Sequence, residues 1–282
     1  MTAATRTQPP SAGATMVLSA LLEARTGQQL AANRSWRLET AIAPLLAELD
    51  LPHADALVAR LLDGHDHRIG DRIVDALLNH ETSFFRDAGV IESAVEAVRA
   101  MTSATAGTRA RIWCAACATG QEPLSLAMLF AEDGGPAPDI LATDVSTSAV
   151  ARARTGSYSQ FEIQRGLPIR RMMRWFEGDG ANWTANKALL SSINYRRHNL
   201  ATDLVPGRFD LILCRNVLFY LTPPVRQAVL ERLAQALKPG GLLLLGAGET
   251  VIGQSELLRP SAAHRGFYER ADVDAAAHAQ RG

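Results

Sequence analysis

The arrangement of apolar residues changes along one stretch in a way that predicts a strand, a tight loop and a helix. Residues 112–116 form a continuous apolar run, and small residues with a Thr119-Gly120 turn follow it. From Glu122 onward the apolar residues recur at the spacing of a helix. A loop of small residues between strand and helix lets a ligand approach the backbone, as it does in nucleotide-binding α/β folds.

Strand and helix patterns continue to alternate from residue 109 to residue 270. Further buried-strand patterns cover residues 139–146, 208–221 and 241–250. Strands that alternate with helices predict a doubly wound, Rossmann-like α/β sheet. The mixed pattern over residues 160–198 predicts a small subdomain inserted in the sheet region.

The residues before this region show helical spacing without a convincing strand. We expect a small all-helical N-terminal domain with a linker over residues 16–88 and a cofactor-binding domain over residues 89–270. The two ends of the chain, residues 1–15 and 271–282, are rich in small and polar residues, and we expect a disordered and a flexible tail there.

Asp144 stands at the exit of the second predicted strand, about twenty residues after the glycine loop. A carboxylate at this place accepts hydrogen bonds from ribose hydroxyls in nucleotide-binding α/β folds. The chain has neither a GxGxxG fingerprint nor a GxxxxGK[ST] phosphate loop. A cofactor with an adenosine moiety is therefore expected, and S-adenosyl-L-methionine (SAM) fits better than NAD or ATP.

Arg215 and Asn216 end a later strand and are expected at the same edge of the sheet as Asp144.

Composition narrows the remaining classes of function. The 282-residue chain has a formal net charge of zero, which supplies no field for nucleic-acid phosphates or an anionic membrane. Its apolar runs are too short for membrane insertion, and its start lacks the apolar core of a secretion signal, so we expect a cytoplasmic protein. Cys114 and Cys117 form a CxxC without a second ligand pair, which predicts small buried side chains and no metal site.

Several motifs occur in a characteristic order along the chain. They are HETSFFRD (80–87), AACATGQEPLSLAM (115–128), ATDVS (142–146), the pair Asn199-Leu200 and CRNVLFYL (214–221). Together they resemble the chemotaxis receptor glutamate methyltransferases, the CheR family, over most of the chain, residues 18–270. The resemblance implies a cytoplasmic, SAM-dependent class I O-methyltransferase. Such an enzyme esterifies glutamate side chains on the cytoplasmic helices of methyl-accepting chemotaxis receptors, and its product is S-adenosyl-L-homocysteine (SAH).

Matching the motifs by position gives the site residues that the resemblance implies. The expected cofactor-binding residues are His80, Thr82, Arg86, Glu122, Asp144, Asn199, Leu200, Cys214, Arg215 and Asn216. Arg86 and Tyr220 are expected to be catalytic: the arginine would lie near both cofactor and acceptor, and the tyrosine beside the transferred methyl group. The resemblance implies no metal ion.

The sequence departs from the family pattern at several places. His80 stands where the family usually has asparagine, and Gln121 replaces the first acid of the GEEP-like loop. The segment between Phe176 and Asn199 is short compared with family members that tether to a receptor's C-terminal pentapeptide, so we expect no such tether. We also expect a monomer.

Two alternative functions stay open at this point. A methyltransferase of the same fold could act on a small molecule or another protein, although a small substrate needs no helical docking domain. A non-catalytic SAM-binding signalling protein is the second alternative, and the presence of Arg86 and Tyr220 argues against it. Nucleic-acid methylation is disfavoured by the neutral net charge and by the absence of an NPPY-type tetrapeptide.

Overall fold

A computed structural model describes residues 9–30, 35–103 and 109–271 of the chain. Its internal contacts divide the chain into two compact units. The first unit contains Met1–Asn79 together with Tyr220–Thr222, and the second contains His80–Phe219 together with Pro223–Gly282.

Helices form the described part of the first unit. They are α1 (Ala12–Thr26), α2 (Ser35–Glu48), α3 (Ala54–Leu62) and α4 (Ile69–Leu77). Their buried side chains recur at helical spacing, as Leu18 and Leu22 do on α1 and Ile69 and Ile73 do on α4. These stripes form the apolar core of the unit.

The first helix begins earlier than the sequence pattern predicts. Its first residue is Ala12 rather than Met16, because the Ser11 hydroxyl accepts a hydrogen bond from the Ala14 amide at 3.0 Å and caps the helix. The tail expected over residues 1–15 is thus helical from Ala12 onward. The remaining parts of the two expected tails at residues 1–8 and 272–282 lie outside the described residues.

The second unit contains all ten described strands. They are β1 (Arg111–Ala115), β2 (Asp139–Asp144), β3 (Ser157–Ser159), β4 (Phe176–Gly178), β5 (Asn182–Ala185), β6 (Ile193–Arg197), β7 (Phe209–Cys214), β8 (Leu237–Leu245), β9 (Leu258–Pro260) and β10 (Phe267–Arg270). The helices of the unit are α5 (Ala88–Ser103), α6 (Gln121–Asp133), α7 (Thr147–Thr155), α8 (Gln160–Gln164), α9 (Ile169–Trp175), α10 (Lys187–Ser191) and α11 (Pro223–Ala236).

A seven-stranded sheet with the order β6-β2-β1-β7-β8-β10-β9 is the centre of this unit. The strands from β6 to β8 pair in parallel, and β10 runs antiparallel to β8 and β9. Residues 112–115 of β1 are all buried, as expected for a central strand of a parallel sheet. The chain order reverses at β1, which lies between β2 and β7. The predicted doubly wound, Rossmann-like sheet is confirmed, and ligands bind such sheets at the carboxyl ends of the strands beside this reversal.

A separate three-stranded antiparallel sheet, β3-β5-β4, forms a small subdomain between α7 and β6. Its aromatic residues pack onto the motif at residues 80–87: the ring of Phe84 lies 5.0 Å from Tyr158 and 5.5 Å from Phe176, both edge-on. The subdomain is therefore anchored by the same segment that carries candidate site residues.

The last part of the predicted insertion belongs to the main sheet instead. Residues Ile193–Arg197 form β6, which pairs in parallel with β2 along its whole length. Ile193 and Tyr195 are buried, whereas Asn194 and Arg196 are exposed, so the strand has one apolar face to bury. The prediction that residues 160–198 form one subdomain is wrong at this end, because β6 pairs with β2, which is distant in the sequence.

Candidate cofactor site at the carboxyl edge of the sheet

The loop between β1 and α6 is held in an unusual backbone conformation. Ala116, Ala118 and Gly120 have φ angles of 64°, 48° and 95°. The loop is fixed to the end of β2, because the Cys117 amide donates to the Thr143 carbonyl at 2.9 Å and the Ala118 amide donates to Asp144 Oδ2 at 2.8 Å. The predicted small-residue loop is thus tightly turned, with two alanines in a conformation that residues other than glycine rarely adopt.

Asp144 is buried at the carboxyl end of β2. Its second oxygen, Oδ1, accepts a hydrogen bond from the Ser146 amide at 2.9 Å. Two backbone amides thus hold the two oxygens of this carboxylate at the end of the strand. Its backbone carbonyl accepts from the His198 amide at 2.9 Å, which brings the exit of β6 beside Asp144.

Asn199 and Leu200 follow that exit. The buried Asn199 side chain accepts from the Ala201 amide through Oδ1 at 3.0 Å, and the Asn199 backbone amide donates to Asp203 Oδ2 at 2.9 Å. Leu200 is half-buried, and its carbonyl accepts from Arg232 at 2.8 Å. The structure therefore places this predicted pair at the same edge of the sheet as Asp144.

Arg215 connects several segments at the edge. Its side chain is only 3% exposed and forms ion pairs with Asp87 and Glu122, the latter at 3.0 Å. It also donates to the Arg86 carbonyl at 3.2 Å. Arg215 thus joins the end of β7, the first turn of α6 and the motif at residues 80–87.

Glu122 lies in the first turn of α6 and has a perturbed acidity. Burial raises the pKa of its carboxyl group above the ordinary value, and the neighbouring Arg215 guanidinium opposes that rise. The positive charge of Arg86 also favours the ionised form of Glu122 and lowers this pKa. Two cations and a buried acid therefore meet at this edge.

The motif at residues 80–87 contributes to the edge through its backbone. The Phe85 amide donates to the Ser125 hydroxyl at 3.0 Å, and Ser125 in turn donates to the Gln121 carbonyl. His80, Thr82 and Arg86 are half-buried. The motif is thus fastened to α6, the helix that carries Glu122.

The cysteine side chains cannot serve as exposed ligands or nucleophiles. Cys114, Cys117 and Cys214 are buried, and burial raises the pKa of each thiol well above its ordinary value. Because the Cys214 thiol is buried, the cofactor contact expected at this residue is assigned to its backbone and stays a prediction. Within the described residues, no group of three or more histidine, cysteine or acidic side chains is arranged to hold a metal ion.

Asn216 follows Arg215 in a left-handed conformation, with φ 60°. The backbone amide of Asn216 donates to Glu249 Oε2 at 2.8 Å. Glu249 was not among the residues predicted from the sequence, although an acid near the end of the buried strand pattern at 241–250 was an available signal. It is a further polar residue of this edge.

Tyr220 lies at the end of a short 3-10 helix, Leu218–Tyr220, and belongs by its contacts to the first unit. Its hydroxyl accepts a hydrogen bond from the Asn79 side chain at 2.6 Å, and its carbonyl accepts from the Gln29 amide at 2.8 Å. The following residue, Leu221, forms an antiparallel bridge with Gln28. The predicted catalytic role of Tyr220 stays a prediction.

A doubly wound sheet with a small-residue loop after β1 and a buried acid after β2 defines a Rossmann-like, nucleoside-cofactor-binding protein. Residues 80–267 match the family model described as "CheR methyltransferase, SAM binding domain". The chain belongs to this CheR family and is a SAM-dependent methyltransferase, which confirms the cofactor expected from the sequence.

Relatives of known name agree with this membership. The chain is 33% identical over 240 residues to "Chemotaxis protein methyltransferase 1" of Pseudomonas aeruginosa, which covers 82% of this chain and 87% of that protein. It is 34% identical over 248 residues to the "Chemotaxis protein methyltransferase" of Vibrio anguillarum, covering 84% of this chain and 89% of that protein. The similarity thus extends beyond the SAM-binding region.

The residues at the edge fit SAM by their chemistry. Ribose hydroxyls and an ammonium group are donors, and Asp144 and Glu122 are acceptors. The Nε of Arg215 is a buried donor that has no hydrogen-bond partner among the described residues, so an acceptor oxygen of a bound cofactor would satisfy it. The two acids and the arginine thus match the hydrogen-bonding groups of a zwitterionic nucleoside.

Proposed function

We propose that this methyltransferase forms methyl esters on glutamate side chains of methyl-accepting chemotaxis receptors. The names of its relatives support a role in chemotaxis, and the resemblance of its motifs supports the receptor and the glutamate. The observation that carries the proposal is the fastening of Arg86 at the sheet edge, where the buried Arg215 binds its carbonyl. The attachment supports a role for the positive charge of Arg86 in attracting an anionic acceptor.

The proposed chemistry needs little acid–base assistance from the protein. Bound SAM supplies an electrophilic methyl group on a sulfonium. A glutamate with a pKa of ~4.3 is already ionised at neutral pH and needs no general base. The residues of the chain are then left with binding and orientation, and good orientation of two reactants can lower a barrier by roughly 7–11 kcal/mol.

Each predicted site residue has a role in this proposal. Asp144 accepts hydrogen bonds from the ribose hydroxyls, and Arg86 orients the acceptor carboxylate. The other proposed cofactor residues are His80, Thr82, Glu122, Asn199, Leu200, the Cys214 backbone, Arg215 and Asn216. We also propose that the Tyr220 hydroxyl lies beside the transferred methyl group. The resemblance of its motif to the CheR family supports this role.

The proposal includes a cytoplasmic location, cytoplasmic receptor helices as partners, a monomeric enzyme and no pentapeptide tether. It also includes a helical N-terminal domain followed by a SAM-binding domain, with the division at Asn79–His80. No described helix is both long enough and apolar enough to cross a membrane. Sedimentation of the purified protein at several concentrations tests the monomer.

Incubation of the enzyme with methyl-labelled SAM and membranes from the source cell tests the substrate. We expect label on a band of receptor size, and we expect mild base to release it as methanol, because a carboxyl methyl ester is base-labile. Label that resists base, or label on a band unrelated to receptors, would contradict the proposal. Membranes with receptors whose acceptor glutamates are changed to alanine serve as the control and should remain unlabelled.

A further inference from the structure

The Glu249 carboxylate accepts hydrogen bonds from four backbone amides. Its Oε2 accepts from the amides of Asn216 at 2.8 Å and Gly246 at 2.7 Å. Its Oε1 accepts from the amides of Val217 at 2.9 Å and Leu218 at 2.8 Å. One carboxylate thus binds three consecutive amides after β7 and one amide after β8.

The backbone around Glu249 is shaped for this arrangement. Asn216 adopts the left-handed conformation, with φ 60°, which turns its amide and the next two toward one point. Gly246 has no room for a side chain, because an added Cβ would lie 2.7 Å from both the Asn216 amide nitrogen and Glu249 Oε2. The carboxylate therefore determines the path of the chain directly after Arg215.

That path leads through Asn216, one of the residues proposed to bind SAM. A carboxylate can satisfy all four amides, because each oxygen has two acceptor positions. A neutral amide side chain cannot, since its nitrogen would oppose two of the N–H donors. Glu249 therefore does for the β7 exit what Asp144 does for the loop after β1, where it binds the Ala118 amide.

We propose that Glu249 is a positioning residue of the methyltransferase: by binding the four amides it holds the β7 exit, and with it Asn216, in the conformation that binds SAM. This inference rests on the proposed placement of Asn216 in the cofactor site. Glu249 acts through the backbone and does not itself need to contact the cofactor.

The variant Glu249→Gln tests the proposal, with Glu249→Asp as the conservative comparison and Glu256→Gln as the control. Glu256 is exposed and lies in the same stretch of chain after β8. Calorimetry well below the melting temperature should show that E249Q weakens SAH binding by roughly ten-fold or more, because hydrogen bonds to a charged acceptor are lost. E249D keeps the carboxylate and should bind more tightly than E249Q, and E256Q should equal the wild type.

A purely structural role would lower the melting temperature without changing the affinity of the folded protein. Folded E249Q that binds SAH as tightly as E249D or wild type would therefore overturn the proposal. A wild-type protein that binds no SAH would instead refute the proposed cofactor site. The two failures are thus distinguishable.

Hydrogen exchange of the wild-type protein covers the case in which E249Q does not fold. Val217 precedes the short 3-10 helix and Leu218 begins it, so neither amide is bonded within a strand and Glu249 is the acceptor that would protect them. We expect these amides to exchange at least ten-fold more slowly than unstructured amides. Exchange at the unprotected rate would overturn the proposal.

Discussion

Gly120 combines a left-handed backbone with a lack of space for a side chain. Its φ is 95°, and an added Cβ would lie 2.9 Å from Ala153 Cβ and 3.1 Å from the Tyr195 hydroxyl. Both conditions act on the same residue at the start of α6. The conformation of the loop after β1 therefore depends on the absence of a Cβ atom at Gly120.

We expect Gly120→Ala to destabilise the protein by about 2 kcal/mol or more, because backbone strain and overpacking add together. Gly134→Ala is the matched control: its φ of 72° is also left-handed, yet no atom lies within 4 Å of the added Cβ. The control should lose only about 1 kcal/mol. Urea unfolding measures both values, and equal losses would show that the contact with Ala153 is unimportant.

Arg86 is attached through its backbone, so its side chain can be changed without removing that attachment. The carbonyl of Arg86 accepts from Arg215 whatever side chain residue 86 carries. Arg86→Ala should lower kcat by roughly 100-fold, the size of effect seen when one charge-stabilising donor is removed. The Kd for SAH should change much less.

Receptor methylation and calorimetry measure the two quantities for Arg86→Ala. Arg109→Ala is the control, because Arg109 is exposed and precedes β1 at the opposite edge of the sheet. Equal losses of turnover and cofactor affinity in the Arg86 variant would refute the role proposed for the arginine.

At the scale of elements, α6 connects the cofactor edge with the inserted subdomain. Its first turn carries Glu122, and near its other end Glu132 binds Arg171 at 2.9 Å and the indole of Trp175 at 3.0 Å, both on α9. The Arg171 guanidinium also lies over the Phe85 ring, 4.6 Å from its centre. The position of α9 is thus coupled to the motif at residues 80–87.

The link between α6 and α9 should depend on pH. Burial opposes the ionisation of Glu132, but hydrogen bonds from Arg171 and Trp175 outweigh it and hold the pKa below its ordinary value of 4.5. The folded protein therefore binds this proton less tightly than the unfolded chain. Its stabilisation is present above pH 4.5 and is lost as the pH falls through the lower folded-state pKa.

We expect Glu132→Gln to be about 1 kcal/mol less stable than the wild type at neutral pH. The difference should shrink as the pH falls below 4.5, because only the wild type loses a charge at residue 132. Unfolding free energies measured across this range test the expectation. Glu177→Gln, at an exposed acid of β4, should show no such trend, and a constant Glu132→Gln difference would contradict the assignment.

For the whole molecule, cofactor binding and folding are linked. Residues from five different segments meet at the carboxyl edge: the motif at 80–87 and the ends of β1, β2, β6 and β7. A ligand that bridges such segments binds the folded chain and has no equivalent site in the unfolded chain. Cofactor should therefore stabilise the protein as a whole.

SAH at 100 times its Kd should raise the free energy of unfolding by about 2.7 kcal/mol and raise the melting temperature accordingly. At the same SAH concentration Asp144→Ala should show a smaller rise, because the ribose loses an acceptor. Asp63→Ala, at an exposed acid that follows α3, should respond as the wild type does. Calorimetric melting curves with and without SAH provide the measurement. An unchanged response of the Asp144 variant would remove Asp144 from the proposed site.

Local patterns of apolar residues were enough to predict the central strands and the type of sheet. The burial of β1, β2 and β7 on both faces appears in the sequence as continuous apolar runs, and parallel pairing follows from the helices between them. Because parallel strands end at one edge, the sequence also predicted that Asp144 and Arg215 would lie there. These features depend on neighbours in the chain.

Features that depend on distant partners appeared only in the folded chain. The sequence pattern assigned the residues of β6 to the subdomain, and only the pairing with β2 shows that they belong to the main sheet. Likewise, the sequence does not show that Glu249 accepts hydrogen bonds from four backbone amides. Arg215 was expected to bind cofactor, yet its guanidinium binds Glu122 and the Arg86 carbonyl from segments 93 and 129 residues away. Hydrophobic periodicity reports which face of an element is buried, but it carries no information about which distant polar group a side chain will meet.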